Sequence, residues 1–253
     1  MQNVNLQILT AVLQQTVAIT NAIQLLQNTM TNILLNYYNF DGDWTEGKLE
    51  KYFRNKHVLV LPLAYRESQA WDLDSWLSVY GKGGEKYDSI LRPFLSYGIA
   101  EKDVEWLNFY QKGCDFRKMI RQSDVLFFTG GMPEKAIARL ETLGLVDEIK
   151  NFRGVVAGAS AGAMLQLEKY HITPDEDYDS YGIFSGLGLV GGFDLEVHFL
   201  NTELQQQCTR RALKDLGCPV YSMWHEGGLL VENGEVTVLG NVWKNIPAKN
   251  ADN

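Results

Sequence analysis

From Met30 onward the chain alternates short apolar runs with stretches of mixed polarity. Ile33–Tyr38, His57–Pro62, Asp124–Thr129 and Arg153–Ala157 are dominated by Val, Leu, Ile, Phe and Tyr. Such unbroken runs predict strands buried on both faces, since a strand with one wet face alternates polar and apolar positions. Residues 46–54, 67–80 and 85–97 have helical composition, and Gly81, Gly83 and Gly84 close the second of these. A weak strand is expected near 104–109, and Pro133 opens a helix reaching about Leu143. This alternation predicts an α/β fold with a doubly wound, mostly parallel sheet flanked by helices.

The last third reads differently. Residues 195–200, 220–224, 228–231 and 235–239 predict short strands, with a helix over 202–216. Asn233-Gly234 between the last two strands predicts a C-terminal β-hairpin. No repeat, Pro-rich linker or charge block divides the chain, so residues 30–253 read as one α/β domain.

Residues 1–29 stand apart, because the first charge in the sequence is Asp41. Ile8, Val12, Ile19, Ile23 and Leu26 recur at helical spacing and predict an amphipathic helix with an uncharged polar face. Gln7, Gln14, Gln15, Asn21, Gln24 and Gln27 interrupt it too often for a signal peptide or a membrane span. Docking on the domain and pairing with another subunit in a homo-oligomer are the expected uses. A membrane surface is disfavoured without Lys or Arg.

Composition narrows the function. A net charge of −8 argues against a nucleic-acid partner, which needs clustered cations to replace counterions. Cys114, Cys208 and Cys218 have neither a disulfide framework nor zinc spacing, and suit a reducing cytoplasm. No metal-ligand motif is present, so neither a metal nor any other cofactor is expected.

The sharpest motif is Gly158-Ala159-Ser160-Ala161-Gly162, which fits G-x-S-x-G between a predicted strand and a helix-compatible stretch over 163–169. That setting suits a strained turn presenting Ser160 as a nucleophile, with room supplied by small neighbours. The N-terminal N–H groups of the following helix would favour developing negative charge, and Ala161 N–H is the natural first oxyanion donor. Gly131, in the glycine pair after the strand ending at Thr129, would supply the second from the sheet edge where α/β proteins bind ligands.

A nucleophilic serine needs a base, and four histidines are available. His57 starts a strand at the opposite end of the sheet, and His171 falls in a polar, acidic loop. His198 and His225 both lie near strand ends, and spacing alone leaves them nearly tied.

The nucleophile turn, Gly130-Gly131 before a helix, and Val197-His198-Phe199 downstream resemble the peptidase E and cyanophycinase family. Those are serine peptidases on a class I glutamine amidotransferase-like fold. The segment His225-Glu226-Gly227-Gly228, leading into a hairpin, resembles the one carrying that family's third triad member. The similarity covers about residues 30 to 240. It implies Ser160 as nucleophile, His198 as base and Glu226 as the acid orienting the imidazole, with Asp175 as the competing acid. Arg210 and Arg211 would stand where the family holds acidic substrate groups. Met132-Pro133 replaces the usual Asn after the glycines, and Glu196-Val197 the Asn-Pro before the histidine. Both changes lie near the expected substrate pocket and leave open whether the family's preference for an amino-terminal aspartate carries over.

The resulting expectation is a cytoplasmic serine peptidase of dipeptidase or isoaspartyl type, acting on a small peptide. The alternatives are an α/β-hydrolase-type esterase using Ser160, Asp175 or Asp179, and His225, and a non-catalytic module of the same fold. A glutaminase-type amidotransferase is disfavoured by serine at position 160.

Overall fold

The structure is a computed structural model and describes residues 30–247. The expected amphipathic helix over 1–29, and the subunit contact through it, lie outside the described residues.

The frame is a sheet in the order β10-β9-β1-β5-β4-β2-β3. Its strands are β1 (Thr31–Leu35), β2 (Val58–Leu61), β3 (Val104–Trp106), β4 (Val125–Phe128), β5 (Val155–Ala159), β9 (Val220–Glu232) and β10 (Glu235–Asn245). The pairs β1–β5, β5–β4, β4–β2 and β2–β3 are parallel. The long C-terminal pair β9–β10 is antiparallel, and β9 also runs antiparallel to β1. β8 (Asp194–Glu196) joins the same sheet by pairing parallel to the first residues of β9.

The strands β2, β4 and β5 are apolar throughout because both of their faces are covered. Val125 and Phe127 pack on one side, with Phe40, Phe53, Trp76, Tyr80 and Phe94. Leu126 and Phe128 pack on the other, with Leu140, Leu145 and Ile149. The first layer includes α1 (Glu50–Phe53), α2 (Leu73–Tyr80) and α3 (Tyr87–Ser96). The second includes α4 (Phe116–Gln122), α5 (Pro133–Leu143) and α6 (Val146–Lys150). Caps fix several boundaries. Asp72 and Ser75 form a reciprocal capping box at the start of α2, and Pro133 takes the first turn of α5.

Three expectations change near the site. The helix after Ser160, α7, is only Ala161–Met164. The chain then forms a separate antiparallel hairpin, β6 (Lys169–Ile172) with β7 (Gly182–Ser185). His171 is therefore a buried strand residue and not part of a loop. The hairpin covers β8 and β9 through a third apolar cluster containing Met164, Tyr170, Leu195, Tyr221 and Met223. Residues 220–224 and 228–231 belong to one continuous strand, β9, instead of two. The helix α8 (Glu203–Leu216) starts from Thr202, whose side chain accepts a hydrogen bond from Gln205 N–H. Among the described residues no helix is long and apolar enough to cross a membrane.

Phe127 is fully buried against the rings of Phe40 and Phe94. Phe127→Ala is expected to cost about 3–5 kcal/mol, through lost transfer energy plus the cavity left behind. Urea titration should show a lower midpoint with little change in slope.

Candidate active site

β5 delivers Ser160 to the carboxyl edge of the sheet in a strained backbone, with φ 54° and ψ −117°. A non-glycine residue there costs about 1–3 kcal/mol and persists only when its surroundings enforce it. Ser160 N–H donates to Leu35 O at 2.9 Å, and Ser160 O accepts from Ala163 N–H at 2.8 Å and Met164 N–H at 3.0 Å. Gly162 allows the close approach that closes the turn, since a Cβ there would sit 2.1 Å from Phe128 O. With α7 a single turn, little macrodipole accumulates behind the serine. Individual N–H groups near it must supply any oxyanion stabilisation.

His198 lies beyond the end of β8, itself at φ 52°. Its Nε2 is 2.7 Å from Ser160 Oγ, a hydrogen-bonded pair formed across 38 residues of sequence. His198 N–H donates to Asn36 Oδ1 at 2.7 Å, and Gln205 Nε2 donates to His198 O at 3.0 Å. Burial holds the imidazole below its ordinary pKa, and the nearby Asp175 charge opposes that shift. A neutral imidazole at Ser160 is the form that can take a proton.

Of the two histidines left nearly tied by spacing, His198 is the one that contacts Ser160. His225 is exposed and its ring lies tilted against Tyr37, at 4.7 Å between ring centroids. The same Tyr37 ring lies 4.4 Å from His198. His57 is also exposed, near Asp103.

The remaining predicted residues are not all gathered. Glu226 is exposed, and His198 Nδ1 is buried with no hydrogen-bond partner among the described residues. No hydrogen bond or ion pair joins Glu226 to His198. Asp175 instead shares a cavity with the pair, about 300 Å³ in volume, at the carboxyl edge of the sheet. Gly131 and Pro133 line that cavity, while Met132 donates its N–H to Ala64 O at 2.6 Å. Gly131 takes φ 133°, and its N–H has no intrachain acceptor among the described residues. The same is true of Ala161 N–H, at the residue after Ser160. Arg210 is exposed on α8, and Arg211 lies over the Tyr181 ring and pairs with Asp215. Neither arginine lines the cavity.

Several residues were not singled out by sequence. Asn36, buried at the end of β1, donates to Trp224 O at 2.7 Å while accepting from His198. The Tyr38 hydroxyl accepts from Gly130 N–H at 2.7 Å, and burial pushes its pKa up to about 12. His171 Nδ1–H donates to Asp194 Oδ2 and Nε2–H to Glu196 Oε2, each at 2.6 Å, with all three side chains buried. Burial opposes the imidazolium, but the two carboxylates outweigh it and push His171 up to about 10. A polar residue at an otherwise apolar strand end was the available signal for Asn36. Nothing in the spacing linked His171 to Asp194 and Glu196.

The acidic loop between β6 and β7 is tied down. Arg66 pairs with Asp177 and Glu176, Tyr178 Oη donates to Glu134 at 2.7 Å, and Asp175 Oδ1 accepts from Asp177 N–H at 2.8 Å. Its residues Thr173, Pro174, Asp175 and Tyr178 line the cavity.

No protein-family model matches the chain, and the search of curated proteins likewise found no match. Solved structures do share its fold. One is a Listeria monocytogenes EGD-e protein provisionally named peptidase E, at TM-score 0.61 and 16% identity, covering 84% of this chain and 98% of that one. Another is a peptidase from an acI-B1 Actinobacterium, at TM-score 0.55 and 13% identity, covering 88% of this chain and 97% of that one. The chain therefore has a peptidase E-like α/β fold along most of its length.

The buried ion cluster should be visible in stability. His171 titrates above the ordinary imidazole value of 6.5, so its contribution is complete below that pH and is lost as pH rises through about 10. His171→Leu leaves two carboxylates uncompensated and should cost about 3–5 kcal/mol at neutral pH. Denaturant melts across pH 6 to 10.5 check both points: the wild-type midpoint should fall in alkali, and the variant's should start lower and fall less.

Proposed function

We propose that this chain is a serine-type peptidase of the peptidase E kind, cleaving a small peptide or related amide. The observation that carries the reading is the 2.7 Å contact between Ser160 Oγ and His198 Nε2. It stands at a strained strand-to-helix turn on the ligand-binding edge of the sheet. The names of the two structural neighbours agree with it.

Ser160 Oγ attacks the carbonyl carbon as its proton passes to His198 Nε2. The N–H groups of Gly131 and Ala161 hold the oxyanion. The C–N bond breaks, the leaving amine takes the proton from His198, and a water activated by the same imidazole releases the acyl group. The supporting acid is Asp175, whose charge reaches the imidazole from the cavity wall. Glu226, the acid implied by the family resemblance, serves only if its exposed side chain turns toward His198 Nδ1. The esterase reading through His225 loses ground, since the imidazole hydrogen-bonded to Ser160 Oγ is that of His198.

A fluorophosphonate probe should label the folded protein at Ser160, and Ser160→Ala should abolish labelling. No labelling of the wild type would sink the proposal. Turnover of a cleaved peptide should fall at least about a thousandfold in Ser160→Ala and His198→Ala, whereas His225→Ala should remain near wild type.

The acid limb of the kcat/KM–pH profile should lie below the ordinary imidazole value, because burial lowers the His198 pKa. Asp175→Asn removes the charge that opposes this shift, so the limb should move to lower pH and the plateau should fall. Glu226→Gln should leave the limb in place. A shifted limb in Glu226→Gln alone would return the acid's role to Glu226.

A further inference from the structure

We infer that Glu196 anchors a positively charged nitrogen of the substrate, a free α-ammonium group or a basic side chain, in the cavity beside Ser160. The inference rests on the peptidase reading and adds the substrate class.

Glu196 is 4% exposed and lies on the cavity wall two residues before His198. Its Oε2 accepts from His171 Nε2–H at 2.6 Å and from Thr173 Oγ1–H at 2.7 Å. Its Oε1 accepts nothing among the described residues, and unlike His198 Nδ1 it is not sealed from solvent. With the side chain otherwise enclosed, the opening available to that oxygen is the cavity. A nearly buried carboxylate thus turns one free acceptor oxygen toward the space where substrate would lie.

The charges behind it do not cancel. His171 contributes one positive charge between Asp194 and Glu196, leaving one net negative charge on the buried trio. Asp175 adds a second at the rim of the same cavity. Among the described residues no Lys or Arg lines it, and Arg66 is paired with Asp177 and Glu176 and Arg211 with Asp215. An anionic side chain entering here would be repelled, and an ammonium or guanidinium would complete the hydrogen bonding of Glu196 with a charge-assisted bond. This inverts the expectation that Arg210 and Arg211 receive acidic groups.

The test uses diphenyl phosphonate analogues of lysine and norleucine on the full chain, each with a free and an acetylated amine. Ser160 Oγ bonds to phosphorus, phenoxide leaves, and the proton taken up by His198 passes to it as phenol. Mass spectrometry of Ser160 gives the rate for each probe.

The expected result is about tenfold or faster labelling by a cationic probe than by acetyl-norleucine, the size typical of a charge-assisted hydrogen bond. A gain from the free amine identifies an α-ammonium site, and a gain from lysine over norleucine a side-chain site. In Glu196→Gln, which keeps an acceptor for His171, the ratio should collapse toward unity. Equal wild-type rates for all four probes would overturn this inference and leave the serine peptidase reading standing. No labelling by these probes or by a fluorophosphonate would overturn both. Should Glu196→Gln fail to fold, the wild-type ratio still decides.

Discussion

The carboxyl end of β1 holds both halves of the Ser160–His198 pair. Leu35 O accepts from Ser160 N–H, and the next residue, Asn36, accepts from His198 N–H through its side chain. Both clients sit at positive φ, a conformation that non-glycine residues leave unless contacts hold them there. Two adjacent residues on one buried strand therefore set the separation between a hydroxyl and an imidazole that arrive from different parts of the chain. Asn36 is held in turn by Trp224 O, so β9 supports the same arrangement.

The electrostatic setting follows from the covering hairpin. β6 brings His171 onto β8, where it meets Asp194 and Glu196 within the apolar cluster between the two layers. Ions in that position would be costly to bury alone, and they persist because each finds a charged, hydrogen-bonded partner. The strand pinned in this way is the one that leads into His198. Glu196 and Asp175 therefore line the same cavity as Ser160, His198 and Gly131.

Much of the framework was legible from sequence because it rests on local rules. The unbroken apolar runs became β2, β4 and β5, and Asn233-Gly234 marks the turn between β9 and β10. Gly158–Gly162 formed a strained strand-to-helix turn in its expected place. The helix expected over 163–169 ends at Met164, because packing against β8 and β9 draws Lys169–Ile172 into a strand. Propensity of a short segment is a weak term beside the burial of Tyr170 and Ile172. Glu226 followed from a resemblance of segment order, which carries no side-chain direction. In the fold that side chain is exposed.

The sequence alone determined the strand and helix alternation, the mostly parallel sheet and the small-residue turn at Ser160, since periodicity and steric room are properties of neighbouring residues. Tertiary structure alone decided which histidine faces the serine, which carboxylates share its cavity, and that Arg210 and Arg211 stay outside it. Those outcomes depend on where strands distant in sequence end relative to one another, and hydrogen bonds such as Asn36 to His198 and His171 to Glu196 are set by three-dimensional packing.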